Sequence, residues 1–170
     1  SLGQGFQVVA AAKAALQGLG MEQVIAKAKK VRSHTRLLIL LDTVEHIRRG
    51  GRVDHLIPLL DRVTKLLNIK PVLSMTEGRL RVDKLVRSYQ RGIQHIQKEI
   101  ANLGPIEQLA IVHTRCREQA ESFSKILSEI LAFPLSDILT AETGPVLSVH
   151  GGPGVMGVVA VHKVPAGGDG

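Results

Sequence analysis

Apolar positions recur at helical spacing from the start of the chain. An alanine-rich stretch follows Phe6, and Met21, Val24, Ile25, Ala28 and Val31 then return about one turn apart, so residues 1–33 read as two helices broken around Gly18 and Gly20. Residues 37–41 form a short unbroken apolar run closed by Asp42 and Thr43, the length of a strand buried on both faces. Leu56, Leu59, Leu60, Val63, Leu66 and Leu67 fall on one helical face, with Asp54 as a cap and Pro58 in the first turn. Residues 71–75 and 80–86 read as two strands joined through Thr76, Glu77 and Gly78, with the glycine placed where a positive backbone angle is needed. Tyr89, Ile93, Ile96, Ile100 and Leu103 mark a helix ended by Gly104 and Pro105, and residues 109–113 mark a further strand. Ala120, Phe123, Leu127, Ile130 and Leu131 give another helical face, and segments 138–141, 146–149 and 155–161 read as extended. The alternation predicts an α/β domain with a mostly parallel or mixed sheet and flanking helices. Residues 164–170 are glycine-rich and read as a flexible tail.

Composition narrows the chemistry. The 170 residues contain no Trp, and Phe6, Tyr89, Phe123 and Phe133 are the only aromatic residues, so the interior must be aliphatic and base-stacking surfaces for nucleic acid are unlikely. No apolar run approaches the roughly 20 residues that cross a bilayer, and residues 1–6 lack the pattern of a signal peptide. Cys116 is the single cysteine, which rules out an intramolecular disulfide and zinc sites built on two or more thiolates, and fits a reducing cytoplasm. The net charge of +7 is uneven: residues 1–35 carry +4, residues 36–100 carry +6 and residues 101–170 carry −3. The basic residues are spread through amphipathic segments, as on a solvated surface, although the basic half could face an acidic partner.

Two glycine-rich stretches hold the candidate chemistry. In the first, residues 42–53, Arg48, Arg49 and Arg52 surround Gly50 and Gly51 just after a strand, where open α/β sheets place ligands. Exposed amides beside a guanidinium suit a carboxylate or phosphate; the plainer reading is a helix stop with solvated charges. In the second, residues 144–157, His150 leaves an extended segment and enters the turn Gly151-Gly152-Pro153-Gly154. His150 can donate to an anionic head group, or its ring can simply tie down the turn. Other motifs fail on context. The His-Gly-Gly-Pro-Gly run suggests a hydrolase oxyanion segment, but no G-x-S-x-G elbow follows, and Gly152 to Gly157 matches a dinucleotide fingerprint only as a string. The other histidines are scattered without metal-ligand spacing. Cys116 near His113 reads as a structural thiol at a helix start, and Ser122 to Lys125 matches S-x-x-K on an ordinary amphipathic helix.

Taken together, Asp42-Thr43-Val44-Glu45-His46-Ile47-Arg48-Arg49-Gly50-Gly51-Arg52-Val53, then Ile69-Lys70-Pro71-Val72-Leu73, then Gly144-Pro145-Val146-Leu147-Ser148-Val149-His150-Gly151-Gly152-Pro153-Gly154 resemble the DegV family of bacterial fatty-acid-binding proteins. Ser1-Leu2-Gly3-Gln4-Gly5 is similar to the helix start at that family's domain junction, so the resemblance spans residues 1–163, with 1–33 as the junction helices. The resemblance implies a two-domain α/β protein that is a carrier and not an enzyme. One long-chain fatty acid, such as palmitate, stearate or oleate, has its tail in a hydrophobic tunnel and its carboxylate between the domains. No further cofactor or metal is implied, and the expected partner is a fatty acid kinase catalytic subunit. Nothing in the chain matches the family's N-terminal domain, so the sequence reads as the C-terminal domain alone. His150 carries over by motif as a carboxylate partner, with Gly151 and Gly152 beside it and Arg52 as a proposal on physical grounds. His46 stands where the family has Tyr, and Ser148 and Gly151 stand where it has Gly and Thr. The rival reading is a basic interaction module that uses Arg48, Arg49, Arg52, Arg79, Arg81 and Arg87 to bind nucleic acid or an acidic protein surface. Steep salt dependence would mark it out.

Overall fold

The computed structural model describes residues 2–49, 69–76 and 78–163, with the side chains of Arg48 and Arg49 excepted. The elements in chain order are α1 (Leu2–Leu16), α2 (Met21–Ser33), β1 (Thr35–Leu40), α3 (Glu45–Arg49), β2 (Lys70–Thr76) and β3 (Arg79–Val86). There follow α4 (Tyr89–Ala101), β4 (Ile106–His113), α5 (Arg117–Leu131), a short 3-10 turn, β5 (Ile138–Glu142), α6 (Pro145–Gly151) and β6 (Met156–His162). Arg52, Gly50, Gly51, Glu77, the helix expected around Leu56 to Leu67 and the tail 164–170 lie outside the described residues.

The punctuation of the sequence becomes the punctuation of the fold. Gly18 has φ 74° between the first two helices, and the Gln23 side chain reaches back to accept from the Gly20 amide at 3.2 Å, satisfying one donor at the start of α2. Ser88 accepts from the Arg91 amide at 3.3 Å and caps α4. Gly78, at φ 79°, supplies the turn angle between β2 and β3.

Among the described residues six strands form one sheet in the order β3-β2-β1-β6-β4-β5. It is mixed, and weighted to the antiparallel side: β4 with β5 is its one parallel pair among the described strands, linked through α5. The alternation along each strand sorts the core into two faces. On one, Leu38, Leu40, Val72, Leu109, Ile111, Met156 and Val158 pack against Ile93, Ile96 and Ile100 of α4 and Phe123 and Leu127 of α5. On the other, Phe6 of α1 covers Leu37, Ala110, Val159 and Val161. Beyond α1 this second face carries, among the described residues, a smaller cluster, Leu41, Val44, Ile47, Leu73 and Val155, beside a cavity. The expectation that residues 37–41 would be buried on both faces therefore needs correction at Ile39, which is only half-buried because it looks into that cavity.

A second correction concerns residues 146–149, which are helical and not extended. Val146 and Val149 favour strand, but Gly144 caps the segment, Pro145 occupies the first helical turn, and the Gly152 amide donates back to the Ser148 carbonyl at 2.8 Å. The two ends, not the propensity of the middle, decide the conformation. His150 accordingly sits in the last turn of a helix and not at the end of a strand.

Candidate functional site

The three sequence stretches converge on Asp42. Lys70 donates from Nζ to the Asp42 carboxylate and also to its carbonyl at 3.1 Å, and the Leu41 amide donates to the Pro71 carbonyl at 3.0 Å. From the other side, the glycine turn after α6 closes against the same segment. A methyl group at Gly154 would lie 3.0 Å from Asp42 Cβ, and one at Gly152 would lie 2.2 Å from His46 Cδ2. Gly152 has φ 78° and ψ 178°, a region essentially reserved for glycine. Conformation and space together thus require glycine at the point where the His46 ring covers the turn. α3 also packs against α6.

Behind this junction lies a cavity of about 680 Å³, inside the size range of small-molecule sites. Its floor is the sheet: Leu37, Ile39 and Leu41 from β1 and its end, Leu73 and Met75 from β2, Leu80 from β3 and Val112 from β4. Ile47 of α3 and Val146, Leu147, His150 and Gly151 of α6 form part of the wall. By strand register, Leu41, Thr114 and Val155 stand at one end and Met75 and Leu80 at the other. Leu37 and Leu41 alone span about 13 Å along β1.

Arg79 and Arg81 border the Met75 and Leu80 end, and a linked set of polar groups stands at the Thr114 end. Thr114 Oγ1 and Thr143 Oγ1 are 2.7 Å apart, and Thr143 Oγ1 is 2.9 Å from Ser148 Oγ, which in turn donates to the Gly144 carbonyl at 3.0 Å. Nδ1 of His150 is buried and makes no hydrogen bond among the described residues. A buried ring nitrogen and a pair of linked hydroxyls at one end of a slot floored by aliphatic side chains are the donors and acceptors that a single polar head group needs. His150 and Gly151 therefore line one cavity, Gly152 shapes the turn that holds them, and Arg52 lies outside the described residues. Thr114 and Thr143 were not singled out in the sequence. The available signal was their position, each directly after an apolar strand whose C-terminal end faces the glycine turn.

Cys116 is held away from this chemistry. It is buried at the start of α5, and its thiol donates to the Val155 carbonyl at 3.3 Å. Burial raises its pKa, and burial likewise pushes the neighbouring Tyr89 phenol above the ordinary tyrosine range. Both groups are neutral when folded and ionise more readily when unfolded. Their stabilising contribution is therefore complete below the unfolded values, about 8.5 for Cys and 10 for Tyr, and is lost as pH rises through the folded ones. Thermal midpoints recorded from pH 7 to 10.5 should fall above about pH 8.5, and Cys116→Ala should flatten the first part of that fall. Parallel curves for both proteins would contradict it.

Among the described residues, no helix is long and apolar enough to cross a membrane, and no group of three or more His, Cys, Asp or Glu could hold a metal ion.

Comparison with known proteins finds relatives that share this fold. A DegV-domain protein of Listeria monocytogenes is 33% identical over 156 residues, covering 91% of this chain and 54% of its own length. The solved DegV-family protein of Thermus thermophilus, described by its fatty acid binding, is 26% identical with a TM-score of 0.81, covering 96% of this chain and 58% of that one. DegV of Bacillus subtilis, described as a fatty acid binding protein, is 25% identical with a TM-score of 0.78, covering 95% and 57%. The chain spans just over half the length of the curated relatives it matches. The pattern defining the family described as "Uncharacterised protein, DegV family" matches residues 1–163, and the chain belongs to the DegV family.

Proposed function

We propose that this chain binds one long-chain fatty acid, with the acyl tail in the cavity under α6 and the carboxylate at the His150 end. The observation that carries the reading is the cavity itself: about 680 Å³, floored by aliphatic strand residues, with His150, Thr114 and Thr143 at one end and Arg79 and Arg81 bordering the other. Each buried methylene contributes about 0.8 kcal/mol, so an acyl chain supplies affinity while a few donors fix its orientation. His150 donates to the carboxylate, Thr114 and Thr143 complete the polar end, and Arg52 adds a cation from the Gly50-Gly51 stretch. The relatives described by bound fatty acid support the ligand class.

The protein acts as a cytoplasmic carrier, without catalysis of its own, and presents the carboxylate to a fatty acid kinase catalytic subunit. Val146 and Val149 of α6 are 65% and 68% exposed beside the polar end, and an N-terminal domain of the kind found in longer DegV proteins is the proposed cover. The test is denaturing extraction of the purified chain and mass spectrometry of the organic phase, against an identically treated empty-vector control. Near-equimolar fatty acid is expected, and His150→Ala should reduce retained lipid by about tenfold, the loss of one charge-assisted hydrogen bond. Equal lipid in wild type and control would remove the carrier reading. Undiminished lipid in the variant would remove only the role of His150.

A further inference from the structure

On the opposite face of the β2–β3 hairpin lies a second recess of about 660 Å³ whose character is the reverse of the acyl cavity. The strand register creates it. Thr76 pairs with Arg79 and Ser74 with Arg81, and Arg36 of β1 donates to Thr76 Oγ1 at 2.9 Å, so hydroxyls and guanidiniums gather on one patch of sheet. Arg32 of α2 lines the same recess. The carboxylate present, Asp83, is already engaged: Arg36 stands 3.6 Å from one of its oxygens, and Nε2 of His95, from α4, stands 2.6 Å from the other. Arg79 and Arg81 are exposed and form no ion pair among the described residues, while Ser74 is 7% exposed at the base of the patch.

Arg79 and Arg81 also border the far end of the acyl cavity, away from His150, but the acyl-binding reading gives their guanidiniums no contact. The Arg79 and Arg81 guanidiniums, unpaired among the described residues, offer four or more N–H donors and two positive charges, and Ser74 and Thr76, their register partners, add hydroxyls. A carboxylate, with one charge and two oxygens, under-uses that set, whereas a phosphate monoester, close to dianionic with three terminal oxygens, matches it. Aromatic side chains are absent from the recess lining, which disfavours a stacked base and directs recognition to the phosphate group alone. We propose that the Arg79–Arg81 recess binds a phosphate monoester group, carried either by a small soluble molecule or by an anionic lipid head group.

The test titrates the full chain at constant ionic strength with inorganic phosphate and pyrophosphate in a calorimeter. In parallel, it is co-sedimented with phosphatidylcholine vesicles with and without phosphatidic acid. Arg79→Gln and Arg81→Gln change exposed strand positions and should leave the circular dichroism spectrum intact. Arg87→Gln removes the same charge outside the recess as a control. Binding weakened about tenfold by each recess variant and unchanged by the control is expected, as one charge-assisted contact is lost. If soluble phosphate binds in this pattern, the ligand is a small phosphate; if only phosphatidic acid vesicles do, it is a lipid head group, and the site stands in either case. Absence of binding in both arms, or equal loss in the Arg87→Gln control, overturns the proposal.

Discussion

Gly152→Ala is expected to destabilise the protein by about 3 kcal/mol, a large share of the roughly 5–15 kcal/mol of an ordinary domain. Two costs add. The backbone at φ 78° and ψ 178° is open to glycine and strained for any other residue, at about 1–3 kcal/mol. The new methyl would also stand 2.2 Å from His46 Cδ2 and 2.7 Å from Cγ, so the ring must leave its seat, and overpacking of this kind costs about 1–3 kcal/mol more. A double-mutant cycle separates the two terms. His46→Ala in the Gly152→Ala background should recover the steric part and leave the backbone part, giving a coupling energy of about 1–2 kcal/mol by urea denaturation. Additive changes would mean that the ring moves without cost and that the junction between the two glycine stretches is looser than its geometry implies. Because the same turn holds His150 and Gly151 against the cavity, lipid retention should fall with stability in the single variant and return in the double one.

That junction also shows what a sequence can and cannot disclose. Gly152 was legible as a turn glycine and His150 as a polar group beside it, since residue type and spacing are local information. The seating of His46 over Gly152 and of Asp42 against Gly154 joins residues more than a hundred positions apart, and that of Asp42 against Lys70 joins residues 28 apart; no local pattern encodes either. The β2–β3 hairpin and helices α4 and α5 were readable because the apolar period was clear there, with the Gly78 turn and the Gly104-Pro105 stop agreeing with it in the first two. Residues 146–149 were misread because a β-branched apolar run outweighed the Gly144-Pro145 start and the Gly151-Gly152 stop, although those end signals govern a segment only seven residues long. Thr114 and Thr143 escaped for a different reason. Isolated threonines carry no motif, and they matter only once the fold sets them 2.7 Å apart at the mouth of an aliphatic slot.

The period of two along β1 yields the other prediction of large effect. Leu38 and Ile39 are neighbours in sequence and face opposite layers: Leu38 is completely buried under α4, while Ile39 lines the cavity between Leu73 and Gly157. A carboxylate at each position should therefore give two distinct phenotypes. Leu38→Asp places an unpaired charge in a dry core, costing several kcal/mol beyond the lost apolar burial, and should leave the chain unfolded or insoluble. Ile39→Asp points the same group into open volume, where water can reach it in the lipid-free protein, so the circular dichroism spectrum and a cooperative melt should persist. The acyl chain, however, would have to lie against a carboxylate. Displacing even three methylenes from contact at about 0.8 kcal/mol each predicts at least a fiftyfold loss of fatty-acid affinity, before any charge penalty. Titration of a fluorescent fatty acid against folded Ile39→Asp reads this directly. Retained affinity would move the acyl site away from the β1 face, whereas a folded protein that has lost its lipid would locate the tail against the sheet independently of any result at His150.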